Sequence, residues 1–137
     1  MSTRAPARIR RLAIIGCGLM GGSVALALKR AEYVDEVVGY SRNPATRELA
    51  LSLGVIDRAA PDLAQAVDGA DVVILATPVG ALAPTMRAIA PHLAANAVIT
   101  DVGSTKSDVV RHAQAHLGAH IMRFVPAHPI AGKEHAG

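Results

Sequence analysis

Short apolar runs rich in β-branched residues alternate with longer amphipathic stretches along the chain. Residues 11–15 are almost continuously apolar, as strands buried on both faces are, and predict a first strand. An amphipathic stretch at 19–30 predicts a helix, and 36–40 a second strand. Pro44 stands where the next helix would start and Gly54 where it would stop. Residues 55–59 read as a short third strand, and Pro61 and Asp62 open a short helix ending near Gly69. Residues 71–76 form the clearest buried run and predict strand four. A helix at 80–93 follows, with Pro84 expected in its first turn, where a missing N–H costs least. Residues 97–101 predict strand five, 106–117 a helix stopped by Gly118, and 120–125 strand six. Strict β-α alternation implies a parallel sheet with right-handed crossovers and helices on both faces. The fold class expected is α/β, a doubly wound Rossmann-type sheet of order 3-2-1-4-5-6, as one domain over residues 10–137 behind a disordered tail at 1–9.

Composition narrows the classes. The chain has 137 residues, half of them hydrophobic, with no Trp, one Phe and two Tyr, so its core must be aliphatic. The net charge of +3 is concentrated early, at Arg4, Arg8, Arg10 and Arg11. Without aromatics or a second basic face, no nucleic-acid partner is expected. The arginine-rich start also fits a transit peptide, but the first strand leaves too little leader to remove, so a cytoplasmic location is expected. Cys17 alone cannot form an internal disulfide or a multi-cysteine zinc site. No apolar run approaches the roughly 18 residues a membrane span needs, so no membrane association is expected.

Chemistry enters at Gly16-Cys17-Gly18-Leu19-Met20-Gly21, a G-x-G-x-x-G. Such hexamers are common. This one directly follows an apolar strand and opens a helix, the context in which the motif binds a dinucleotide. Gly16 permits the tight turn, Gly18 lets backbone approach a pyrophosphate, and Gly21 lets helix and strand pack closely. Leu19 and Met20 begin the helix whose N–H groups would face the phosphates. Where NAD-binding domains carry an acidic residue after the second strand, this chain has Ser41 followed by Arg42, with Arg47 nearby. A 2′-phosphate would meet no carboxylate there and could pair with arginine, so NADP is expected to be preferred over NAD.

Ligands of a doubly wound sheet lie beyond the carboxyl ends of its strands. After strand four comes Thr77-Pro78-Val79, after strand five Asp101-Val-Gly-Ser104-Thr-Lys106, and after strand six His128-Pro-Ile-Ala-Gly-Lys133-Glu134. In order and spacing, Gly16 to Ser23, Asp101 to Lys106 and His128 to Glu134 resemble the nucleotide-binding domain of prephenate and arogenate dehydrogenases. The first motif is shared with many dehydrogenases; the other two together are far more specific. The resemblance spans about residues 10–137. It implies NAD(P)-dependent oxidative decarboxylation of prephenate or arogenate in tyrosine biosynthesis. His128 would accept the proton of the substrate hydroxyl, a task that suits an imidazole of ordinary pKa about 6.5. Ser104 would help hold that hydroxyl, Lys133 would border a substrate carboxylate, and Thr77, Pro78, Val79 and Asp101 would stand by the cofactor.

The family carries a further helical domain that forms its homodimer and completes the substrate site. Lacking it, the chain is expected to bind cofactor but turn over substrate poorly. A stand-alone NADP-binding or regulatory module is the alternative. A β-hydroxyacid dehydrogenase or imine reductase fits less well, because those lack the Gly103-Ser104 and His128-Pro129 motifs at these places. His112 and His116 are spaced to share a helix face, but no Glu lies between them and no third ligand is in view, so no metal is expected.

Overall fold

The computed structural model describes residues 9–16, 19–102 and 106–126. The elements follow the order β1 (Ile9–Ile15), α1 (Leu19–Arg30), β2 (Val34–Tyr40), α2 (Pro44–Ser52), β3 (Arg58–Ala59), α3 (Leu63–Val67), β4 (Val72–Leu75), α4 (Val79–Ile89), β5 (Val98–Asp101), α5 (Lys106–His116) and β6 (Phe124–Pro126). Six strands pair in parallel in the order β3-β2-β1-β4-β5-β6, the Rossmann-type arrangement read from the alternation.

Side-chain alternation divides the core. Leu12 and Ile14 of β1, Val37 of β2 and Ile74 of β4 pack on one face with Ala25 of α1, Ala50 of α2 and Ile56. Ala13, Ile15, Val38, Val73, Leu75 and Ile99 point to the other face and meet Ala66, Leu82, Met86, Ile89, Ala113 and Leu117. A sheet buried on both sides needs continuous apolar strands, which is why the strands carry little polar alternation.

Several elements differ from the expected pattern. β3 holds two residues rather than five. Val55 and Ile56 donate their N–H groups to the Ala50 carbonyl, at 3.0 and 3.4 Å, and so close the end of α2 instead of pairing with β2. β6 begins at Phe124, because residues 118–123 wind into a 3₁₀ helix after Gly118 (φ +57°). The His120 N–H reaches back to the Leu117 carbonyl at 3.0 Å, so this apolar run is satisfied locally and only its end joins the sheet. Pro84 falls in the second turn of α4, not the first, since the helix starts at Val79. It leaves the Gly80 carbonyl without the helical N–H that another residue at 84 would give. β1 also starts earlier than predicted, at Ile9, which is paired with Val34.

Candidate nucleotide site

The site grows from the carboxyl end of β1. Gly16 closes the strand with φ +95°, a conformation side chains rarely adopt, and its N–H donates to the Tyr40 carbonyl at 2.7 Å. A Cβ at Gly16 would lie 2.8 Å from the Ala76 carbonyl oxygen, so the turn is wedged against the end of β4. Gly21, in the first turn of α1, has no room either: its Cβ would run into the Gly16 carbonyl oxygen and sit 3.0 Å from Ile14 Cγ2. Helix, turn and two strands therefore meet at a distance only glycine permits. Leu19 and Met20 begin α1 between them.

Beside this turn, β2 ends at Tyr40 and a three-residue loop leads to α2. Its polar groups hold one another. Ser41 Oγ accepts the Asn43 N–H at 3.3 Å, and Asn43 Oδ1 accepts the Ala45 N–H at 2.9 Å, capping α2 ahead of Pro44. Arg42 is exposed, with no ion-pair or hydrogen-bond partner for its side chain among the described residues. Arg47 is committed elsewhere, lying 5.5 Å from the Tyr40 ring centroid and donating from Nη1 to the Ala60 carbonyl at 2.8 Å.

The opposite wall comes from the end of β4 and from α4. Thr77 Oγ1 is buried and has no hydrogen-bond partner among the described residues. Pro78 is the N-cap of α4 and makes no side-chain cap bond, and Val79 is the first residue of that helix. Between the walls lies a cavity of about 700 Å³, within the range of small-molecule sites. It is lined by Gly16, Ser41, Arg42, Thr77 and Pro78 from the sequence motifs, together with Tyr40, Asn43, Thr46, Leu63, Ala81, Pro84 and Thr85. Arg42 is the one charged group in that lining among the described residues, so the cavity offers its polar end to an anion.

Asp101 ends β5, 2 % exposed, with its Cα paired to those of Leu75 and Pro126; it is not in the cavity wall. His112 and His116 lie half-buried on α5 with their rings stacked 6.4 Å apart, away from the cavity lining. Cys17, Gly18, Gly103, Ser104, His128, Lys133 and Glu134 lie outside the described residues. The wall residues contributed by α3 and α4 carry no sequence motif. Only the strand order brings Leu63, Ala81 and Thr85 opposite Ser41, whereas Tyr40 could have been inferred from its place at the end of β2. Among the described residues, no helix is long and apolar enough to cross a membrane.

Comparison with known proteins adds to this geometry. The family described as prephenate dehydrogenase, nucleotide-binding domain, matches residues 24–137. A cyclohexadienyl dehydrogenase from Zymomonas mobilis is 40 % identical over 129 residues, which are 93 % of this chain and 43 % of that protein. The prephenate dehydrogenase of A. aeolicus, solved in complex with hydroxyphenyl propionate and NAD+, superposes with a TM-score of 0.78 at 33 % identity. That match covers 90 % of this chain and 43 % of the other. A Synechocystis arogenate dehydrogenase gives a TM-score of 0.76 at 32 % identity, covering 87 % of this chain and 40 % of its own. The chain thus spans less than half the length of the relatives it matches.

Proposed function

This chain belongs to the prephenate dehydrogenase nucleotide-binding domain family, and from that premise we propose that it is the cofactor-holding part of an NAD(P)-dependent enzyme that oxidatively decarboxylates prephenate or arogenate. The observation that carries the reading is the cavity at the strands' carboxyl ends, with Gly16 at one wall and Arg42 at its polar end. These residues fit a dinucleotide. Gly16 and Gly21 let the end of β1 and the first turn of α1 approach closely, and the start of α1 at Leu19 and Met20 would offer N–H groups to a pyrophosphate. By the motif, Gly18 would let backbone approach the same group. Thr77 Oγ1 is a buried hydroxyl in need of a partner, which a cofactor hydroxyl would supply. Pro78 and Val79 carry the same loop into α4, and Asp101, at the end of β5, is assigned to the cofactor by the motif resemblance alone.

The bound NAD(P)+ supplies the hydride acceptor. The remaining roles rest on the motif resemblance. His128 takes the proton of the substrate's ring hydroxyl as hydride leaves the same carbon, carbon dioxide departs and the ring becomes aromatic. Ser104 holds that hydroxyl in line, and Lys133 borders a carboxylate. Of the two dinucleotides NADP is preferred: Ser41 presents no negative charge, and Arg42 has no competing ion pair among the described residues.

Calorimetric titration of the chain tests the binding. NADP should bind more tightly than NAD by about tenfold, the lower end of what a charge-assisted hydrogen bond contributes. Equal constants would remove the preference, and binding of neither dinucleotide would remove the cofactor-holding role. Appearance of reduced nicotinamide on adding prephenate or arogenate to an enzyme carrying this domain tests the reaction. Silence with both substrates, despite tight cofactor binding, would leave a binding module in its place.

A further inference from the structure

Among the described residues, both contacts of the Arg47 guanidinium are to neutral groups. Its guanidinium lies over the Tyr40 ring, 5.5 Å from the centroid, and its Nη1 donates to the Ala60 carbonyl at 2.8 Å. Tyr40 ends β2 and Ala60 directly follows β3, while Arg47 itself stands in the first turns of α2. One side chain thus ties a helix start to the carboxyl ends of two strands. The loop between these anchors is Ser41-Arg42-Asn43. Ser41 and Asn43 are fixed by their own hydrogen bonds, and the Arg42 side chain is the group left over to meet a ligand.

We propose that Arg47 is a positioning residue for nucleotide discrimination: by clamping Tyr40 and Ala60 it sets where Arg42 projects into the cavity, and it contributes an unneutralised positive charge behind it. The proposal rests on the NADP-preferring reading above. Neither a carbonyl nor an aromatic face cancels charge, so the guanidinium adds to the field felt by a phosphate at the Ser41 end. Its several N–H groups let it lie over the ring and bond the carbonyl at once. Lysine keeps the charge but has a single ammonium to divide between the two partners.

The test is a set of NADP and NAD dissociation constants, with thermal midpoints, for the wild-type chain, Arg47→Ala, Arg47→Lys, Arg42→Ala and the double alanine variant. The expected result is a NADP-over-NAD ratio reduced roughly fivefold in Arg47→Ala and less in Arg47→Lys, the order of effect of a lost cation–π contact. The double variant should lose less than the sum of the two single losses, because the positioning part of the Arg47 effect runs through Arg42 and only its field remains when Arg42 is gone. A residue that only stabilises the fold would lower the midpoint and leave the ratio untouched, and that result overturns the inference alone. A wild-type ratio near one overturns it together with the NADP reading. If Arg47→Ala does not fold, Arg47→Lys and Tyr40→Leu carry the same comparison.

Discussion

At the scale of single residues, the site depends on atoms that are absent. Gly16 needs both its positive φ and its missing Cβ, because a methyl group there would press on the backbone of Ala76. Backbone cannot move aside as a flexible side chain can. Gly16→Ala should therefore cost about 1–2 kcal/mol from the left-handed conformation alone, with the contact added to it. It should also weaken dinucleotide binding, since relief of the contact shifts the turn. Chemical denaturation and titration of the same variant check both effects, and a variant as stable and as tight-binding as wild type would contradict the geometry. The glycines were legible in the sequence because a special backbone conformation leaves a local mark, and Ser41 and Arg42 were legible from their place after the second strand. The tie from Arg47 to Tyr40 and Ala60 was not. Its partners lie 7 and 13 positions away, a relation that nothing local encodes. Neither was the wall built by Ala81 and Thr85, which exists only once β4 lies beside β1.

At the scale of elements, buried strands and capped helices announced themselves, whereas segments satisfied by local bonds did not. The apolar run at 120–125 looks like a strand, but from Gly118 the chain winds, and strand pairing is limited to Phe124–Pro126. The third strand is short for another reason, which singles out Gly39. A Cβ at Gly39 would sit 2.6 Å from Ile56 Cγ2 and 2.8 Å from its Cδ1. Ile56 folds over bare β2 backbone, and that close seat holds the end of α2 against the sheet. Gly39→Ala should destabilise by about 1–3 kcal/mol through overpacking. Ile56→Ala, which leaves a cavity, should cost about 2–5 kcal/mol. Together they should cost less than the sum, because the alanine at 39 enters space the isoleucine vacates. Additive losses in urea unfolding would show that Gly39 is required for its backbone freedom and not for the seat of Ile56.

At the scale of the whole molecule, the sheet has two ends with different work. Its carboxyl ends carry the cavity, and its amino ends carry ion pairs. Arg11 Nε meets Glu36 Oε1 at 2.8 Å, and Arg58 Nε meets the other oxygen at 3.3 Å. Lys29 Nζ joins Asp57 Oδ1 at 2.8 Å, while Asp57 Oδ2 accepts the Val37 N–H at 2.8 Å and so ties the end of α1 to β2. The Arg11 hydrogen bond, against some desolvation, holds Glu36 below its ordinary pKa of 4.5. For Asp57, burial is the largest single influence and pushes the pKa up from 3.8. The Lys29 and Val37 hydrogen bonds and the Lys29 charge outweigh it, and the net shift is downward. Both carboxylates bind protons more weakly in the folded chain than in the unfolded one. Their contribution is therefore complete above the unfolded values and disappears as pH falls through the depressed ones. The thermal midpoint should be insensitive to these groups near neutrality and should fall between about pH 5 and about pH 3. The pairs are partly exposed, so each contributes modestly and the fall should be gradual. Glu36→Gln should flatten that fall while leaving NADP affinity at neutral pH unchanged, because Glu36 lies at the end of the sheet away from the cavity lining. Parallel curves for the variant and wild type would show that other carboxylates govern acid unfolding. A loss of NADP affinity in Glu36→Gln would show that the two ends of the sheet are not independent.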